Sequence, residues 1–132
     1  MVDALKRTRS WLRPGAPLVD LHPMAAPALV IVGDTIAGPI DNGAAPARHQ
    51  AATDAIAEAV NNGLFRIGDT IEFDFSTYAD TLDELQDYIV SEWREARIGD
   101  TTMMRARQLG PSADRKPRAR ERVSASRLVA VG

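Results

Sequence analysis

An α/β domain is what this sequence predicts, on three observations. Segments with helical apolar spacing alternate with segments of period two. The boundaries carry turn and cap signals, among them Thr81-Leu82-Asp83-Glu84 ahead of an apolar stripe. The composition, 45% hydrophobic and 26% charged over 132 residues, is that of a soluble globular domain rather than of a disordered chain.

The elements follow in order. Val2, Leu5 and Leu12 recur at helical spacing among Lys6, Arg7, Arg9 and Arg13, and Pro14-Gly15 stops that helix. Leu18 to Leu21 reads as a short strand bounded by His22-Pro23. Ala28 to Val32 and Thr35 to Ala37 flank Gly33-Asp34, a dipeptide suited to a two-residue hairpin loop. Gly38 to Pro46 is rich in turn-formers and reads as loop. From Ala47 to Asn62, Ala52, Ala55, Ile56, Ala59 and Val60 make one apolar stripe, with Pro46 at the entry and Gly63 at a left-handed exit. Leu64 to Arg66 is a short extended piece, and Thr70 to Phe75 alternates Ile71, Phe73 and Phe75 with polar residues, as in a half-buried strand. A helix is expected over Thr81 to Ile98, with Leu82, Leu85, Ile89, Trp93 and Ala96 on one face and Arg94 and Arg97 near its end. A helical stub is expected at Thr101 to Leu109, a flexible basic loop over 110–122, and a last strand over Val123 to Val131. No linker or repeat divides the chain, so 1–132 reads as a single α/β domain.

The net charge of −2 hides an asymmetry. Residues 50–100 hold twelve acids against three bases, whereas 101–132 hold eight bases against two acids. Intramolecular pairing is the expected consequence. The alternative, a nucleic-acid contact through Arg115, Lys116, Arg118, Arg120 and Arg122, lacks the interleaved aromatic residues that stack on bases. The longest apolar run, Ala25 to Val32, is far short of the roughly 20 residues a bilayer span needs. No apolar stretch follows Met1 to Arg7, so no secretory signal is expected, and with no cysteine the cytoplasm is the expected location.

Recognised catalytic motifs are missing. None of the nine glycines forms a Gly-x-Gly of the kind that cradles phosphates, so no cofactor-binding residue is assigned. The two histidines, His22 and His49, do not make a metal site without a carboxylate beside them, and none is assigned. His22 closes a strand, the place where open α/β sheets put ligand crevices, and reads either as a proton acceptor or as a hydrogen-bonded surface histidine. Asp20 lies two residues earlier and therefore on the same side; it either acts with His22 or bonds a neighbouring loop. Asp69, Glu72, Asp74, Asp80, Asp83, Glu84 and Asp87 read as a solvated face. Of the large rings with polar handles, Trp93 is expected in the core, whereas Trp11 and Tyr78 have no assigned place.

The segment Trp11 to Pro23, with Leu12-Arg13-Pro14-Gly15 before Leu18-Val19-Asp20-Leu21-His22, resembles the helix, Leu-x-Pro-Gly-Gly turn and fifth strand of class I S-adenosylmethionine-dependent methyltransferases. Ala16 stands where that family usually has a second glycine. The helix ending in Asn62-Gly63, the strand around Ile71 to Phe75, the helix entered at Thr81 and the strand from Val123 extend the resemblance to the family's carboxyl half. It implies a partial Rossmann-like sheet with strands equivalent to 5-7-6, flanking helices and an extra hairpin. The cofactor-binding half of the family has no counterpart, so the resemblance implies S-adenosylmethionine only if another half completes the site. Asp20 and His22 are then the substrate-side positions. It also implies an unpaired edge on Leu18 to Leu21, to be met by a second copy, by a separate amino-terminal half or by the Ala28 to Ala37 hairpin. A small non-enzymatic α/β protein that self-associates is the alternative.

Overall fold

Four helices and five strands form in the computed structural model, which describes residues 2–132. The side chain of Val2, expected on the first helix's apolar face, lies outside the described residues. The order is α1 (Val2–Trp11), β1 (Pro17–Pro23), β2 (Leu29–Val32), β3 (Thr35–Pro39), α2 (Ala45–Asn61), β4 (Phe65–Tyr78), α3 (Leu82–Glu92), α4 (Asp100–Gln108) and β5 (Pro117–Ala130). The strands make an open antiparallel sheet in which β5 pairs with β1 from Pro17↔Val129 to Pro23↔Val123, with β2 from Leu29↔Arg120 to Val32↔Pro117, and with β4. The fold class is α/β.

The chain divides into two compact units. The first comprises Met1–Met24, Ala47–Phe73 and Val123–Gly132; the second comprises Ala25–Pro46 and Asp74–Arg122. Each has its own core. In the first, Leu5 of α1, Ala55, Ile56 and Ala59 of α2, Phe65 of β4 and Leu128 and Ala130 of β5 cluster. In the second, Val30 and Val32 of β2, Leu85 and Ile89 of α3, Met103 and Ala106 of α4 and Ala119 of β5 cluster, with Trp93 packed against them as expected.

In the first unit the apolar stripe of α2 forms as read, and its end is a complete Schellman motif. Leu64 N–H donates to Ala59 O at 3.0 Å and Gly63 N–H to Val60 O at 3.0 Å, with Gly63 at φ 75°. That left-handed conformation is why the position favours glycine. The strand read as Leu18 to Leu21 runs on through His22 and Pro23.

In the second unit β2 and β3 form the hairpin around Gly33-Asp34, closed by the Val32↔Thr35 pair. Thr81 caps α3, its Oγ1 accepting from Glu84 N–H at 3.1 Å, and the Glu84 carboxylate accepts from Asp80 N–H at 3.2 Å. The helix expected as far as Ile98 stops at Glu92 instead. Two interactions compete with its continuation. Asp41 and Arg97 exchange two backbone hydrogen bonds of 2.9 Å, and the Gln86 amide accepts from Ile98 N–H at 2.8 Å and donates to Ile98 O at 2.9 Å. Arg94 and Arg97 therefore lie beyond the helix whose dipole they were expected to complement.

Two further expectations are corrected. Phe65 and Arg66 of the first extended piece and Thr70–Phe75 belong to one continuous strand, β4, with Leu64 just ahead of it. The basic stretch 110–122 is loop only through Lys116; from Pro117 it is β5, where Pro117 and Ala119 are buried and Arg118 and Arg120 half-buried. Its basic side chains find polar partners there. Arg122 meets Asp74 at 3.1 Å, Lys116 meets Asp80 at 3.0 Å, and Arg118 donates to Ser76 Oγ at 3.2 Å and Tyr78 Oη at 3.3 Å. The acidic middle and the basic end thus neutralise each other on neighbouring elements. Exposed pairs of this kind each contribute about 0–1 kcal/mol, so strand pairing rather than charge holds β5 in place. No helix among the described residues is long and apolar enough to cross a membrane.

Candidate functional site

Both sequence-assigned residues lie on β1, two positions apart, and so project from the same face of the sheet. They touch. His22 Nδ1 is 2.5 Å from Asp20 Oδ2, and their side chains are only 13% and 12% exposed. Of the two readings for Asp20, the structure places it with His22 rather than with a loop. The other ring nitrogen, Nε2, is 3.0 Å from Thr53 Oγ1 on α2. Thr53 Oγ1 in turn lies 3.3 Å from the carbonyl oxygen of His49, one helical turn earlier.

The geometry links an acid, an imidazole and a hydroxyl. With the Asp20 carboxylate accepting from Nδ1–H, a neutral ring presents Nε2 as an acceptor, and the Thr53 hydroxyl donates to it. A hydrogen carried on Nε2 would instead be donated to Thr53 Oγ1, whose own hydrogen is within reach of the His49 carbonyl. Asp20 fixes the tautomer and Thr53 occupies the reactive nitrogen. Any outside proton donor reaches Nε2 only by displacing Thr53 or by passing through its hydroxyl. His49 does not join the pair as a ligand. Its pKa is lowered, first by burial and then by the charges of Arg48 and His22, against a bond to the Met24 backbone that raises it. Among the described residues no group of three or more His, Cys, Asp or Glu side chains is placed to hold a metal ion.

Thr53 is the partner that sequence reasoning missed. It sits on the polar side of α2, and nothing in its spacing marks it; the signal is the packing of that helix over β1.

The opposite face of β1 is bare. Val19 is 70% exposed and Leu21 61%, and on β4 Ile71, expected to be half-buried, is 61% exposed. Val19 and Ile71 share a shallow hollow of about 220 Å³ with Ala125 and Arg127 of β5. The outer edge of β1 is open as well: among the described residues only β5 pairs with it. The hairpin that was one expected cover pairs with β5 instead, along Arg120 to Pro117.

Matched against family models, curated proteins and solved structures, the chain finds no counterpart among them.

Proposed function

We propose that this chain is the substrate-side part of a class I S-adenosylmethionine-dependent methyltransferase domain, inactive alone and completed by a glycine-rich half contributed from outside these residues. The observation that carries the reading is strand order. β5, the last strand, pairs with both β1 and β4 and is antiparallel to β1, as the 5-7-6 order implied by the sequence resemblance requires. The open edge of β1 is where that order would place the fourth strand of the completing half.

The residues present do not fit the cofactor. A loop that cradles it needs a glycine whose missing side chain leaves room for a ligand at a strand-to-helix turn. Gly43, between β3 and α2, is the position of that kind, but a Cβ there meets the Glu95 Cβ and backbone oxygen at 3.2 Å, so Glu95 fills the space. This chain alone therefore does not hold the methyl donor. What its residues supply is a proton acceptor, His22 Nε2, held in one tautomer by Asp20 and gated by Thr53.

Calorimetric titration with S-adenosylmethionine tests the reading, first on this chain and then with the product of the adjoining reading frame added. The expected result is no binding by the chain alone and saturable binding by the mixture. Saturable binding by the chain alone contradicts it.

A further inference from the structure

We infer that β1 pairs with β1 of a second copy of this chain, antiparallel, about a two-fold axis at Asp20. The inference does not rest on the methyltransferase reading, and a completing half would compete with the second copy for this edge; it rests on which backbone groups the free edge of the chain alone presents.

The phase of the β1–β5 ladder is fixed. Ala130 N–H donates to Ala16 O at 3.0 Å, and the register runs without a bulge from Pro17↔Val129 to Pro23↔Val123. Because hydrogen-bonding residues alternate along an antiparallel strand, Leu18, Asp20 and His22 direct their N–H and C=O groups to β5. Pro17, Val19, Leu21 and Pro23 face outward. The two prolines have no N–H, so the edge offers only the Val19 and Leu21 donors, with carbonyls on either side.

That arrangement is self-complementary in one register. With Asp20 opposite Asp20 of the second copy, Val19 lies opposite Leu21 and Leu21 opposite Val19, and each such pair exchanges both its N–H···O bonds. All the outward donors of both copies are then satisfied. The next outward positions bring Pro17 opposite Pro23, where neither side has a donor and the rings end the ladder. A shift by one pair either way sets a proline opposite Leu21 or Val19, where its carbonyl still accepts but its ring takes the place of the return donor and is driven at the opposing carbonyl inside the ladder. The bare side chains agree, since Val19 and Leu21 pair across the strands on the exposed apolar face. The like charges at the axis are the opposing cost, and each Asp20 is held to its own His22 at 2.5 Å. A closed two-fold pair of this kind removes the edge that a lone copy exposes.

Light scattering on the full chain over a concentration series is expected to give a reversible dimer. Leu21→Pro removes an outward donor while leaving every bond to β5 in place, and is expected to weaken the dimer at least about tenfold with an unchanged circular dichroism spectrum. Register is read by cross-linking, which the absence of native cysteine makes clean. Cysteines at position 20 face each other at a Cα separation of about 4.5 Å, inside the disulfide range, whereas those at position 21 sit diagonally, roughly 7–8 Å apart. Asp20→Cys is therefore expected to oxidise to a covalent dimer and Leu21→Cys is not. A strict monomer at every concentration overturns the inference. So does a dimer indifferent to Leu21→Pro, or one in which Leu21→Cys cross-links as readily as Asp20→Cys. None of these readouts involves S-adenosylmethionine, so their failure leaves the proposed function to its own test.

Discussion

Replacing Gln86 by leucine removes the clamp that ends α3. The Gln86 amide accepts from Ile98 N–H at 2.8 Å and donates to Ile98 O at 2.9 Å, and Ile98 is 1% exposed. Leucine keeps nearly the same volume but leaves both backbone groups without that partner. An unsatisfied buried group costs about 1–3 kcal/mol, and because Gln86 itself is only half-buried, water reaching the site puts the pair near the lower end, about 2–3 kcal/mol in all. Gln86→Glu separates the two bonds. A carboxylate still accepts from Ile98 N–H but sets a second acceptor against Ile98 O, so the variant is destabilised at neutral pH and recovers in acid as the carboxyl gains a proton to donate. Urea unfolding in a Trp11→Phe background leaves Trp93, packed on this core, as the tryptophan reporter. A leucine variant within about 0.5 kcal/mol of the parent, or a glutamate variant as stable as glutamine at neutral pH, refutes the account of why the helix stops.

Three other outcomes follow from the same contacts. A Cβ on Gly38 would sit 2.6 Å from Thr102 Oγ1, so Gly38→Ala costs about 1–3 kcal/mol in thermal or urea unfolding. Adding Thr102→Ala, which removes the clashing oxygen, costs less than the sum of the single changes, although Thr102 Oγ1 also donates to Pro39 O at 2.9 Å. Burial raises the Glu121 carboxyl above its ordinary pKa, so between the unfolded value and the raised one the native state holds more protons and stability falls as pH rises. Glu121→Gln removes that slope and stabilises the protein at neutral pH in melts recorded across the acid range. Ile71→Lys, at a side chain 61% exposed, changes stability by no more than about 0.5 kcal/mol, and a loss of several times that shows the face to be covered in the free chain.

Local signals were legible and long-range ones were not. The Gly63 exit, the Thr81 cap and the Gly33-Asp34 hairpin all depend on residues within a few positions of each other, and they form as the sequence reads. The helix boundary at Glu92 depends on Asp41 and on Gln86 reaching Ile98, partners that periodicity does not see. The basic residues of 117–122 look solvated in isolation, yet Arg122 and Arg118 lie beside Asp74, Ser76 and Tyr78 of β4. The candidate site divides in the same way. A spacing of two put Asp20 and His22 on one face, whereas Thr53 became visible only once α2 was placed over β1. The exposure of Val19, Leu21 and Ile71 is also a three-dimensional fact, because alternation predicts a buried face and cannot say what buries it.

Amide hydrogen exchange along β1 tests the central claim, an open edge of defined phase, most directly. In dilute solution without a partner, the amides of Leu18, Asp20 and His22 are expected to be protected by β5, and those of Val19 and Leu21 to exchange close to the unprotected rate. Raising the concentration, or adding a completing half, is expected to slow Val19 and Leu21 selectively. Protection of Val19 and Leu21 at every dilution, or fast exchange at Leu18, Asp20 and His22, contradicts the account.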